Sequence, residues 1–203
     1  ELSEQRATVF EYMPKLSIVI PAYKTPERYL KEMLNSILAQ TYENWEVCVA
    51  DGSPAGEGIE RVLRRYAEKD QRFKYVILGE NKGISGNTNA AMDMAVGDFI
   101  VLADHDDTLP PHALFEVAKA INEHPGADVI YSDEDKMDMD GGALFDPHFK
   151  PDFNIDLLRS VNYICHLFVV SHDLAARVGG FRQEFDGAQD YDFIFRCTEG
   201  ASE

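Results

Sequence analysis

The chain has 203 residues, 45% hydrophobic and 27% charged, a composition that can bury one sizeable core and makes one domain the default. Its formal net charge of −17 argues against a nucleic-acid backbone or an anionic membrane surface as the main partner, although a bound metal ion can still invert the local field for a small anionic ligand. Three widely spaced cysteines, Cys48, Cys165 and Cys197, form no CxxC pair, so a reducing compartment fits better than a zinc site or disulfide framework.

In chain order, the opening ELSEQRATVFEYMPK lacks both an initiator Met and a signal-peptide pattern, and residues 1–14 read as an extension. Leu16-Ser17-Ile18-Val19-Ile20 is a buried-strand run closed by Pro21. Residues 27–40 space Leu30, Met33, Leu34, Ile37 and Leu38 at helical intervals. A second strand, Glu46 to Ala50, breaks at Asp51-Gly52-Ser53-Pro54; residues 57–69 predict a helix and 73–78 a third strand. After the Gly/Asn-rich stretch Gly79–Asn87 come a helix over 85–95 and a strand over 98–103. A helix is predicted from Pro111 to Glu123, then a strand at 128–132. Asp138–Gly142 reads as a hairpin or loop, 164–171 as a strand and 189–198 as a helix. Strands alternating with 10–15-residue helices predict an α/β fold with a mostly parallel sheet covered on both faces. No apolar run approaches the roughly 20 residues needed to cross a bilayer. The final residues, Cys197 to Glu203, carry no sign of a natural terminus, and the chain reads as a piece of something longer.

In open α/β sheets, ligands sit beyond the carboxyl ends of the strands. The residues following the first four strands are Pro21-Ala22-Tyr23, Asp51-Gly52-Ser53, Asn81-Lys82-Gly83 and Asp104-His105-Asp106, so four loops should bring an aromatic ring and several acids to one edge. Neither GxGxxG after the first strand nor GxxxxGK[ST] occurs, which disfavours a dinucleotide oxidoreductase or a P-loop NTPase. Gly83-Ile84-Ser85-Gly86 is equally a glycine-rich ligand loop or a tight turn into a helix.

In an extended backbone Asp104 and Asp106 would share a face, with His105 turned away, and two carboxylates on one side suit a hard divalent ion that also binds a phosphate. The bland alternative is an acidic strand end, with Asp107-Thr108 capping the following helix. Asp190 and Asp192 open the last helix, where each is equally a favourable partner of the helix dipole or a general base. His166, inside an apolar run, reads as a satisfied core histidine; Asp133-Glu134-Asp135 reads as a solvated loop or, less directly, part of an acceptor cleft.

Three stretches together, LSIVIPAYKTPERYLKEMLNSILAQTYENWEVCVADGS, NKGISGNTNAAMDMAVGDFIVLADHDD and GGFRQEFDGAQDYDFIFR, resemble glycosyltransferase family 2, nucleotide-sugar-dependent transferases of the GT-A fold. The resemblance runs from Lys15 to Arg196. Two further stretches, HDDTLPPHALFEVAKAINEHPGADVIYSDEDK and FDPHFKPDFNIDLLRSVNYICHLFVV, look more narrowly like bacterial members that build O-antigen, capsule and other surface polysaccharides, many of them rhamnosyltransferases.

The resemblance implies a single Rossmann-like α/β/α catalytic domain over 15–203, cut short at its C-terminal end. It implies a pyrimidine pocket at Pro21 and Tyr23, Asp51 on the base or ribose, and Asn81 in the donor site. It further implies Mn²⁺ or Mg²⁺ on Asp104 and Asp106, with Asp104 also near the ribose, and Asp190 as catalytic base. The implied reaction is inverting transfer from a UDP- or dTDP-sugar to a glycan or lipid-linked glycan, in the cytoplasm or at the inner membrane face. The alternative is a non-catalytic nucleotide-sugar-binding or interaction module of a larger protein. This sequence departs from the family in Ala50 before Asp51, in Gln189 before Asp190, and in ending before the segment that often carries a His near the metal.

Overall fold

The computed structural model describes residues 1–138 and 142–202. Four parallel strands form the heart of the sheet: β1 (Leu16–Ala22), β2 (Trp45–Asp51), β3 (Phe73–Ile77) and β4 (Phe99–Leu102). Beyond β4 lie β8 (Phe168–Ser171), antiparallel to it, and β5 (Val129–Tyr131), antiparallel to β8, giving the order β3-β2-β1-β4-β8-β5. A separate two-stranded ribbon pairs β6 (Glu134–Met137) with β7 (Leu144–His148). The predicted hairpin at Asp138–Gly142 lies in the connection between them, and residues 139–141 fall outside the described ones.

Side-chain alternation sorts the core into two layers. Leu16, Ile18 and Ile20 of β1, Val47 and Val49 of β2, and Val101 of β4 face one side, under α2 (Glu27–Leu38), α3 (Glu60–Ala67) and α5 (Ala113–Glu123). Val19, Cys48, Ala50, Ile100 and Leu102 face the other, under α4 (Gly83–Met92), α6 (Ile155–Leu158), α7 (His172–Val178) and α8 (Gln189–Gly200). Each strand residue points opposite to its neighbour, so strands buried on both faces have to read as continuous apolar runs. On α2, Leu30, Met33, Leu34 and Ile37 are fully buried, each worth about 1.5–3 kcal/mol relative to exposure. Residues 1–14 include a short helix, α1 (Leu2–Ala7), and fasten to the α2–α5 layer: Phe10 packs on Phe115 at 5.1 Å between ring centroids, and Asn122 bonds both backbone groups of Tyr12.

Two expectations are corrected. The last strand begins at Phe168 rather than 164, because the backbone of Ile164 and His166 is hydrogen-bonded by side chains instead of a neighbouring strand. The helix after the acidic cluster starts at Ala113, and its N-cap is His112, with no side-chain capping bond from Asp107 or Thr108. The short elements α1, α6, α7, β6 and β7 carry too little periodicity to stand out in the sequence.

The topology places the site. α2 and α3 cover one face while α4 covers the other, so the winding reverses between β1 and β4 and opens a crevice at their carboxyl ends. Because β8 runs antiparallel, its preceding loop, 162–167, also lies at that edge, as do the residues following β5.

Candidate active site

At the end of β1, Pro21 is buried and Tyr23 is 42% exposed, with the Lys24 ammonium 5.6 Å over its ring. Asp51 ends β2 fully buried. Its carboxylate accepts from the backbone N–H of Ser53 (2.9 Å) and of Ile59 (3.0 Å), which fixes the loop between β2 and α3. Asn81 accepts from Gly83 N–H and from the Asn87 amide, both at 3.1 Å.

Asn87, which the sequence reading passed over, knits these loops together. It is buried in α4, approaches the Ala22 carbonyl at 3.5 Å and accepts from Lys82 N–H at 3.2 Å. A Cβ on Gly52 would lie 2.6 Å from the Asn87 amide nitrogen, so glycine there is what lets the β2 loop approach. The stretch Gly83–Gly86 forms the first turn of α4. Gly83 has φ +76° and opens α4, and the Asp186 carboxylate sits at this helix start, accepting from Ser85 N–H at 3.2 Å.

The acidic cluster does not continue as strand. β4 stops at Leu102, and residues 104–107 turn, with Asp107 N–H reaching back to the Asp104 carbonyl at 3.4 Å. The expected shared face of Asp104 and Asp106 rested on extended backbone and does not apply to a turn, which brings first and fourth residues together instead. Asp104 and Asp107 thus meet, and His166 joins them: their ligating atoms all lie within 4.8 Å of one another. Asp106 is exposed on the same turn, outside this group.

His166 is therefore not a satisfied core histidine. Its Nε2 lies 3.4 Å from Asp104 Oδ2, and its buried Nδ1 has no hydrogen-bond partner. Its pKa is raised to about 9, first by the neighbouring Cys165 side chain, with burial opposing and the charges of Asp104 and Asp107 adding. For Asp107, desolvation within the crevice raises the pKa; His166 opposes, and Asp104, Asp106 and Glu134 reinforce. An imidazolium can offset the neighbouring carboxylates when no other cation is present. Two carboxylates and one imidazole, clustered and open to solvent, also suit Mn²⁺ or Mg²⁺, with waters or phosphate oxygens filling other positions.

The two acids of α8 separate cleanly. Asp192 is 7% exposed and engaged by Arg182 and Arg196, the latter at 2.8 Å, so it is a structural anchor. Asp190, two residues earlier and so turned to another face of the helix, accepts from the Asn162 amide at 3.1 Å. Asn162 lies in the loop that leads to His166, which brings Asp190 to the crevice edge. Asp133 and Glu134 are not merely solvated: Asp133 accepts from Lys150 N–H at 2.7 Å, and Glu134 accepts from His166 N–H at 3.1 Å. The sequence signal for Asp107, Asn162 and His166 existed only as residue type; nothing in their spacing indicated that they meet.

A doubly covered sheet with a polar crevice at its switch point, closed by an antiparallel strand beyond β4, is the GT-A architecture. The Glycosyl transferase family 2 model matches residues 17–172, and the chain belongs to that family. It is 47% identical over 186 residues to an uncharacterized protein, y4gI, of Sinorhizobium fredii, covering 92% of this chain and 20% of that protein. It is 38% identical over 189 residues to the O-antigen biosynthesis protein RfbC of Myxococcus xanthus, covering 93% of this chain and 15% of RfbC. Thus it spans only a fifth or less of either relative. Among solved structures, Staphylococcus aureus TarS 1–349 in complex with UDP superposes with a TM-score of 0.74 at 24% identity, over 93% of this chain and 56% of that one. The mannosyltransferase PcManGT of Pyrobaculum calidifontis, in complex with GDP-Man and Mn²⁺, gives 0.66 at 21%, over 98% and 58%.

Proposed function

We propose that this chain is the donor-binding and catalytic domain of an inverting glycosyltransferase that moves a hexosyl or rhamnosyl group from a UDP- or dTDP-sugar to a hydroxyl of a growing bacterial surface glycan, free or lipid-linked. The observation that carries this reading is the convergence of Asp104, Asp107 and His166 at the β1–β4 crevice, with Asp190 held at the same edge by Asn162. Kinship with an O-antigen biosynthesis protein and fold likeness to proteins solved with UDP and with GDP-Man support it.

In this reading Tyr23 stacks on the base beside Pro21, and Asp51 and Asn81 hold the loops around base and ribose. Asp104, Asp107 and His166 hold Mn²⁺ or Mg²⁺, with Asp106 a further oxygen donor on the same turn. The ion, when bound, neutralises charge on the diphosphate. Asp190 accepts the proton of the acceptor hydroxyl as its oxygen bonds to the anomeric carbon and the carbon–oxygen bond to the diphosphate breaks. Attack from the side opposite the leaving group inverts the centre. No helix among the described residues is long and apolar enough to cross a membrane.

The test compares thermal unfolding of wild type and Asp190→Asn with UDP, dTDP, GDP and CDP, each with and without Mn²⁺. A ligand of the native state adds ~2.7 kcal/mol of stability at a hundredfold excess over Kd. Both proteins should shift with a pyrimidine nucleotide only when Mn²⁺ is present, while wild type alone releases nucleotide from the matching sugar donor. No shift with any nucleotide would overturn the donor site. A shift without turnover in wild type would indicate a binding module, and equal turnover in the variant would remove Asp190 from the chemistry.

A further inference from the structure

Lys150 follows β7 and enters the molecule completely: its side chain has 0% exposure. Its ammonium donates to the Ile164 carbonyl at 2.5 Å and to the His166 carbonyl, and lies 3.5 Å from Glu134 Oε2. An ammonium has three protons, and three acceptors converge on it here. The same Glu134 Oε2 accepts the backbone N–H of His166 at 3.1 Å. One ion pair therefore holds both backbone groups of His166, the residue whose imidazole faces Asp104.

We propose that Glu134 and Lys150 are positioning residues that fix His166 so that its imidazole completes the cation site with Asp104 and Asp107. The inference rests on the cation site proposed above and extends it to residues that touch neither donor nor ion. A buried ion pair usually adds little net stability, because desolvation offsets the attraction, so stability alone is a weak reason to hide a lysine here. What the pair supplies is direction. The stretch Ile164–His166 has no strand ladder to hold it, and residues supporting a metal ligand typically govern affinity by about 10–100-fold. The β6–β7 ribbon thereby becomes the outer support of the site, since Glu134 opens β6 and Lys150 follows β7.

The experiment titrates Mn²⁺ alone into wild type, His166→Ala, Lys150→Met and Glu134→Gln, following unbound Mn²⁺ by electron paramagnetic resonance. Circular dichroism and thermal midpoints are recorded on the same samples. Lys150→Met keeps the stem and removes all three donations; its affinity should fall about 10–100-fold, and its midpoint should fall as well, because the Glu134 carboxylate and two carbonyls lose their donor. Glu134→Gln keeps one acceptor oxygen and should lose less. Faster hydrogen exchange at the His166 amide in Lys150→Met, measured without metal, should accompany the loss. Equal Mn²⁺ affinity in wild type and Lys150→Met, with His166→Ala impaired, would overturn the positioning role and leave the cation site standing. Equal affinity in wild type and His166→Ala would overturn the cation site and the positioning role together. If Lys150→Met does not fold, Glu134→Gln decides: unchanged affinity and unchanged His166 amide exchange would overturn the proposal.

Discussion

Glu46 shows how a single side chain can organise the end of the sheet opposite the crevice. Its carboxylate is 1% exposed, yet it pairs with Lys15 at 2.6 Å and Lys74 at 2.9 Å and accepts from Ser17 Oγ and Val96 N–H. Burial alone would push its pKa up; the bonds from Lys15, Val96, Lys74 and Ser17 outweigh that and hold it at about 2. With the ordinary value at 4.5, the charged form contributes fully above that pH, and the contribution disappears as pH falls toward 2. The shift corresponds to on the order of 3 kcal/mol. Glu46→Gln should lose about that much in urea denaturation at pH 7, and its stability should fall less steeply than wild type between pH 4.5 and 2. Parallel curves for the two proteins would show that Glu46 does not drive the acid response.

At the scale of elements, α4 joins the loops of the crevice to the sheet, and its entry depends on Gly83. A side chain there would meet two obstacles: φ +76° strains the backbone, and a Cβ would lie 2.3 Å from Asp186 Oδ2. Gly79, at φ +74°, has nothing within 4 Å of a built Cβ and isolates the backbone part. Backbone strain of this kind costs roughly 1–3 kcal/mol. Gly79→Ala should show that cost alone, and Gly83→Ala should be further destabilised and lose Mn²⁺-dependent nucleotide stabilisation. Thermal scans of both variants with UDP and Mn²⁺ check this. Equal midpoints would mean that Asp186 moves aside without penalty.

Over the whole molecule, 36 acidic against 19 basic side chains leave a strong negative field. Several ion pairs, such as Arg28–Glu32 and Lys31–Glu27, sit on exposed helix faces, where each is worth about 0–1 kcal/mol. Self-repulsion should therefore outweigh surface pairing. Raising ionic strength from 0.01 M to 0.15 M shortens the screening length from about 30 Å to about 8 Å. The thermal midpoint should rise over that range in NaCl; a fall would mean that the surface pairs dominate.

Much of this was legible in the linear pattern. Leu16–Ile20, the Leu30–Ile37 spacing and the apolar run before Asp104 sufficed for a doubly covered α/β sheet, because burial on both faces and helical periodicity are local properties of a chain. The polar loops after the first four strands were legible for the same reason, since parallel strands send their carboxyl ends to one edge. The motif stretches led to the transferase family. Tertiary structure alone decided which acids meet. Asp104 and Asp107 come together through a turn that the extended i, i+2 rule could not anticipate, and Asp192 is withdrawn by two arginines while Asp190 stays at the edge. His166 arrives only because β8 runs antiparallel between β4 and β5, and Lys150 reaches it across a ribbon with little periodicity. Such contacts depend on strand direction and loop closure between residues far apart in sequence, and no local pattern encodes them.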